Sequence, residues 1–178
     1  MDIEFVNDGG VPDEASVGLS AASPQPSASG LSASIPHARI TPDNITALAP
    51  NEVFVFGSNT AGRHGKGAAK TALKWGALMG EGFGHWGRTW AIPTLIYPGF
   101  RKRSLAAIAK DVEIFTEAAK AGQFHFLVTE IGCGLAGFDH KEIAPIFLDC
   151  VSLANVSMPR KFWRILQHAP NNPTLTNT

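Results

Sequence analysis

Two stretches of the chain hold the residue types that could do chemistry, and they share one plan. VFVFGSNTAGRHGKGAAK begins at Val53 and FLVTEIGCGLAGFDHKE at Phe126. Each runs from an apolar strand into a loop of small residues and then toward a helix. In an open α/β sheet ligands bind beyond the carboxyl ends of strands, where helix N-termini present unpaired N–H groups. Glycine lets the backbone approach a ligand closely and converge its amides into an anion-binding nest. Charge-assisted bonds from such amides contribute roughly 1.5–3 kcal/mol each, so a diphosphate held this way needs few lysines. Plain tight turns can share this composition. It is the occurrence of two such loops in one small chain that argues for a ligand.

The elements that must position these loops alternate along the chain. EVFVF (52–56) is a compact buried strand, Gly57 to Gly67 a loop, and Ala68 to Met79 a helix. GEGFGHWG (80–87) is a second glycine loop, followed by a strand over 89–93. From Ser104 the apolar positions Leu105, Ile108, Val112, Phe115 and Ala119 mark an amphipathic helix that Gly122 closes. Phe124 to Ile131 is a second clear strand. Asp139 followed by Glu142 forms a capping box, and Pro145 predicts a kink or a new helix start. A short helical turn over 41–48 and a last strand over 161–166 complete the pattern. Strand and helix alternate throughout, which predicts an α/β domain with helices on both faces of a mixed sheet.

Composition bounds the rest. The chain has 178 residues with 15 basic and 15 acidic side chains, and this zero net charge disfavours a duplex-DNA binder. Residues 15–35 hold seven Ser and five Ala with no charge and no aromatic, so residues 1–36 read as a flexible segment. MDIEFV at the start could be a short strand or a docking segment. The domain is expected over 37–168, with a loose tail over 169–178. No run is long enough to span a membrane, no secretory signal is evident, and two cysteines make no disulfide scaffold, so a cytoplasmic location is expected. The histidines lack metal-ligand spacing, and neither loop matches the dinucleotide fingerprint or the P-loop, so no metal or cofactor is expected.

The order of these motifs resembles the macrodomain family over roughly residues 40–166. ITPDNITALAPNEVFVFGSN is similar to its opening segment and first strand, GKGAAKTAL to its glycine loop and helix, and IGCGLAGFDHKEIAPIF to its second phosphate loop. IGCGL resembles the terminal ADP-ribose protein glycohydrolase branch, and FVFGSNTAGRHGKGAAK resembles small phage and prophage proteins. The resemblance implies a three-layer α/β/α fold that binds ADP-ribose or a related adenine nucleotide. An ADP-ribosylated macromolecule is a further partner it implies. Asp43, Asn44 and Ile45 then fall at the adenine site, and Gly57, Ser58 and Asn59 at the first strand end. Asn59 matches the asparagine touching the distal ribose, with Gly65 and Gly67 beside that ribose. Gly132, Cys133, Gly134, Leu135, Ala136 and Gly137 match the diphosphate loop, with Phe138 packing on a sugar.

Catalysis is a separate question. In the glycohydrolase branch an aspartate follows GCGL and a lysine is the nucleophile, whereas here Ala136 stands after GCGL. Hydrolysis of an ADP-ribosyl linkage would draw on Asn59, Lys70, Asp139 and His140. His64 and Lys66 could meet a phosphate or polarise a glycosidic bond, or sit in a solvated loop. Asp139 reads first as a helix cap, though a cap at this site also lies near the ribose. Cys133 has no partner base in sequence. Phe83 and Trp86 could wall a base, while Trp75, Trp90 and Trp163 read as core. The alternative to an enzyme is a non-catalytic phage-type protein that sequesters a nucleotide signal or binds a host protein. Oligomeric state is left open.

Overall fold

The computed structural model describes residues 39–168. The expectations for residues 1–36 and 169–178 lie outside these residues. Strand β1 (Glu52–Asn59) forms the centre of a mixed sheet. It pairs in parallel with β3 (Thr89–Ile96) on one side and with β5 (His125–Val128) on the other. Strand β2 (Gly84–Trp86) and the two-residue β4 (Arg101–Lys102) both pair antiparallel with β3. β6 (Val156–Ser157) adds in parallel to β5, giving the order β2-β3-β1-β5-β6.

Side chains alternate across a strand, so β1 faces two cores. Val53 and Val55 join a large cluster with Ile108, Val112, Phe115 and Ala119 of helix α2 (Leu105–Lys120). Phe162, Trp163 and Leu166 of helix α4 (Arg160–Gln167) belong to the same cluster. Phe54 and Phe56 turn the other way, against Ala69 and Ala72 of helix α1 (Gly67–Ala72). Full burial of a side chain such as Phe115 contributes about 1.5–3 kcal/mol. The α/β class with a mixed sheet is therefore as expected.

Helix α2 follows its sequence signals closely. The Ser104 hydroxyl accepts the Ala107 amide, and Gly122 follows at the other end. Only Leu105 departs, being exposed. Asp139 and Glu142 form the expected capping box at α3 (His140–Ile143). From Ala144 the chain tightens into a 3-10 segment to Ser152, with Pro145 in its first turn and a break at Phe147.

Four expectations are corrected. The last strand is not at 161–166, which lies in α4. Phe162, Trp163 and Leu166 are one face of a helix that begins just after Pro159. Residues 42–48 form no helix. The chain just before them is tied to the sheet instead of starting a helix: the Thr41 amide donates to the Met158 carbonyl at 3.0 Å and the Met158 amide to that of Arg39 at 3.1 Å. Helix α1 stops at Ala72, followed by a tight turn over Leu73–Trp75. Gly76 then takes φ +98, and a Cβ there would meet the Gly87 Cα at 3.0 Å. The glycine stretch 80–87 contains β2, which returns as a hairpin onto β3.

Candidate functional site

The carboxyl ends of β1, β3 and β5 open onto two adjoining cavities of about 530 and 520 Å³. They share Ala68, Thr129 and Glu130 in their walls, so they lie side by side along one face of the sheet's carboxyl end. Each falls within the size range usual for small-molecule sites. The first is lined by Thr41, Asp43, Asn44 and Ile45, with Pro159 and Lys161 from the start of α4. The second is lined by Gly57, Ser58 and Asn59 of β1, by Gly65, Lys66 and Gly67, and by Gly132, Gly134, Leu135 and Ala136. Four segments distant in sequence thus meet.

The second glycine loop is a set of turns. The Cys133 amide donates to Glu130, that of Gly137 to Gly134, and that of Phe138 to Gly132. The amides of Gly134, Leu135 and Ala136 take no part in these turns. Among the described residues they have no protein acceptor. Gly132 takes φ +75, and a Cβ on it would stand 3.1 Å from the Phe138 ring. A Cβ on Gly134 would meet nothing within 4 Å. Gly132 is thus required for the turn, while Gly134 faces open space in the cleft wall.

Several expected residues have other partners or lie outside both cavities. Asn59 lines the cleft but is buried, and its side chain is committed to its own loop. Its Oδ1 accepts the Ala61 and Arg63 amides, and its Nδ2 donates to the Arg63 carbonyl at 2.8 Å. It shapes the first loop as an internal brace. Ser58 likewise donates inward to the Gly82 carbonyl. His64 lines neither cavity. It is 1% exposed, its ring edge packs on Phe56, and Nε2 lies 3.1 Å from the Glu81 carbonyl oxygen. Phe138 is buried in the large core under the Lys102 ammonium, 4.6 Å from its ring centroid, and lines neither cavity. Gly137 accepts a hydrogen bond from Lys102 at 2.5 Å. Lys70 is exposed on α1, and Asp139 caps α3. None of Lys70, Cys133, Gly137, Asp139 and His140 lines either cavity.

Cys133 is half-buried and donates to the Ile131 carbonyl. Burial, reinforced by the charges of Glu130 and Asp139, pushes its thiol up to about 11. That is the opposite of an activated nucleophile. Trp86 donates to the Phe83 carbonyl and Phe83 packs edge-on to Trp90, so neither residue walls the cleft. Trp90 and Trp163 are core, and Trp75 is half-buried against the Phe54 side.

Sequence reasoning missed Glu130. It lines both cavities, and its carboxylate accepts bonds from His140 Nε2 at 2.9 Å and Lys161 Nζ at 2.9 Å. Burial alone would raise its pKa. The hydrogen bonds from His140 and Lys161 outweigh burial and hold the carboxyl below its ordinary range. This pairing also moderates the repulsion that a bare carboxylate would exert on an anionic ligand. Arg63, Leu95 and Phe100 were missed as well; they line the second cavity. No spacing in the sequence announces any of these, because their partners come from other elements.

Among the described residues no cluster of His, Cys, Asp and Glu could hold a metal ion, and no helix is long and apolar enough to cross a membrane. No protein-family model, curated protein or solved structure matches this chain.

Proposed function

We propose that this protein is a macrodomain-like binder of ADP-ribose or a related adenine nucleotide. One observation carries the reading. Asp43, Asn44 and Ile45, residues 57–59 with 65–67, and Gly132 with Gly134, Leu135 and Ala136 come from three separate stretches and line two adjoining cavities at the strand ends. Asp43, Asn44 and Ile45 would take the adenine end. The unpartnered amides of Gly134, Leu135 and Ala136 suit a diphosphate, since backbone N–H groups stabilise such an anion without a net positive protein.

The reading is of binding rather than turnover. Of the four groups considered for hydrolysis, Asn59 is spent on its loop, Asp139 on a helix cap and His140 on Glu130, and Lys70 lies outside both cavities. Calorimetry with ADP-ribose, ADP and NAD tests the proposal. At least one is expected to bind at micromolar concentration, and Gly134→Glu to abolish that binding while leaving the fold intact. Absence of binding by all three overturns it.

A further inference from the structure

The second cavity has an apolar rim that a phosphate or a sugar does not need. Phe100, in the turn between β3 and β4, lines it and is 51% exposed. Leu135 lines the same cavity from the second glycine loop and is 74% exposed. Leu95 adds to the same wall. An exposed large aromatic at a cavity mouth forgoes the free energy of burial until something covers it.

Phe100 is held in place from both sides. Its backbone takes φ +50, a left-handed conformation rare for a bulky residue. On one flank the Tyr97 amide donates to the Thr60 hydroxyl at 2.9 Å, and the Tyr97 ring packs edge-on to Phe100 with centroids 5.4 Å apart. The Arg63 guanidinium lies 5.5 Å from the Tyr97 ring centroid, so the first glycine loop supports the same aromatic pair. On the other flank Lys102 of β4 donates to the Gly137 carbonyl, which ties the turn to the second loop. The ring is therefore presented at the cleft by contacts to both loops that line it.

We infer that the Phe100 end of the cleft takes a second planar ring, which makes the ligand a dinucleotide with a base or base-like ring at each end. This rests on the proposed adenine-nucleotide reading, which places the first base in the cavity lined by Asp43, Asn44 and Ile45. Three features favour a planar ring here. An aromatic face stacks a flat heterocycle more favourably than a sugar. Leu135 supplies an apolar edge, and no carboxylate lines this cavity except Glu130 at its junction with the other.

Calorimetry on the full chain with NAD and with ADP-ribose tests the inference, because the two differ in the second ring. NAD is expected to bind at least tenfold more tightly. Phe100→Ala should remove that margin by weakening NAD about tenfold and ADP-ribose less than twofold, and Phe100→Trp should restore it. Phe100→Gly, which relaxes the left-handed backbone, should lose the margin and keep the fold, so a folding defect in the alanine variant cannot mask the result. Equal wild-type affinities, or equal losses for both ligands in Phe100→Ala and Phe100→Gly, would overturn the second-ring site while leaving the nucleotide reading intact. Binding of neither ligand overturns the second-ring site, and absence of binding by ADP as well overturns the nucleotide reading.

Discussion

Gly57 on β1 and Gly132 in the second glycine loop approach so closely that a Cβ built on Gly57 would stand 3.3 Å from the Gly132 amide nitrogen. Both residues line the second cavity, so the two loops meet at this point. A side chain at residue 57 is expected to push them apart. Gly57→Val should destabilise the protein by about 1–3 kcal/mol, the usual cost of overpacking, and weaken nucleotide binding. Denaturant unfolding and calorimetry on the same sample measure the two effects. Unchanged stability would mean that the loop yields without cost.

Gly132 and Gly134 are expected to separate fold from ligand. Gly132→Ala places a Cβ against Phe138 in a left-handed backbone, which should cost about 1–3 kcal/mol. Gly134→Ala meets no neighbour within 4 Å, so stability should stay within about 0.5 kcal/mol. A thermal melt of both variants decides. Equal melting temperatures would contradict the different surroundings of the two positions.

Glu130 should make the cleft sensitive to acid. Its folded pKa is lowered by the bonds from His140 and Lys161, so their stabilisation is present above the ordinary carboxylate range. It is lost as pH falls through the folded value. The carboxylate is 39% exposed and Lys161 57%, so solvent screening holds the contribution to about 1 kcal/mol or less. Glu130→Gln should flatten the acid limb of a stability–pH profile and leave stability between pH 7 and 8 lowered by that amount. An unchanged profile would show the pairing to be idle.

The two thiols should both be chemically inert at neutral pH. Burial pushes both up to about 11 from the ordinary 9.0; the Thr116 hydrogen bond offsets part of this at Cys150. Both are protonated at pH 7, and alkylation of the native protein should be slow at Cys133 and slower at buried Cys150. The unfolded thiols ionise near 9 while the folded ones retain their protons, so stability should fall as pH rises from about 9 to 11. Mass spectrometry after timed iodoacetamide treatment checks the first expectation and urea unfolding across that range the second. Rapid modification of Cys133 at pH 7 would reverse the assignment.

Where local physics is self-sufficient, the sequence alone determined the structure. Helix α2 carries its apolar period, its Ser104 cap and its terminal Gly122 within one segment, and the capping box of Asp139 and Glu142 spans four residues. β1 is legible because an apolar run too short for a helix has few alternatives. The same composition rules located both glycine loops and, with them, most of the cleft wall. The strand expected over 161–166 failed because a short run containing Phe162, Trp163, Ile165 and Leu166 fits either period. The large core selects the helix by burying Phe162, Trp163 and Leu166 together. Tertiary structure alone decided the rest. Asn59 and His64 carry functional-looking side chains that the fold turns to internal bracing, because their loop leaves them buried among carbonyls and aromatics. Glu130 acquires its character from Lys161, which is 31 residues away in sequence, and Phe100 reaches the cleft because β4 folds back on β3. Periodicity and caps report on neighbours within about two turns of chain, whereas the charge balance and the rim of this cleft depend on side chains brought together from separate elements.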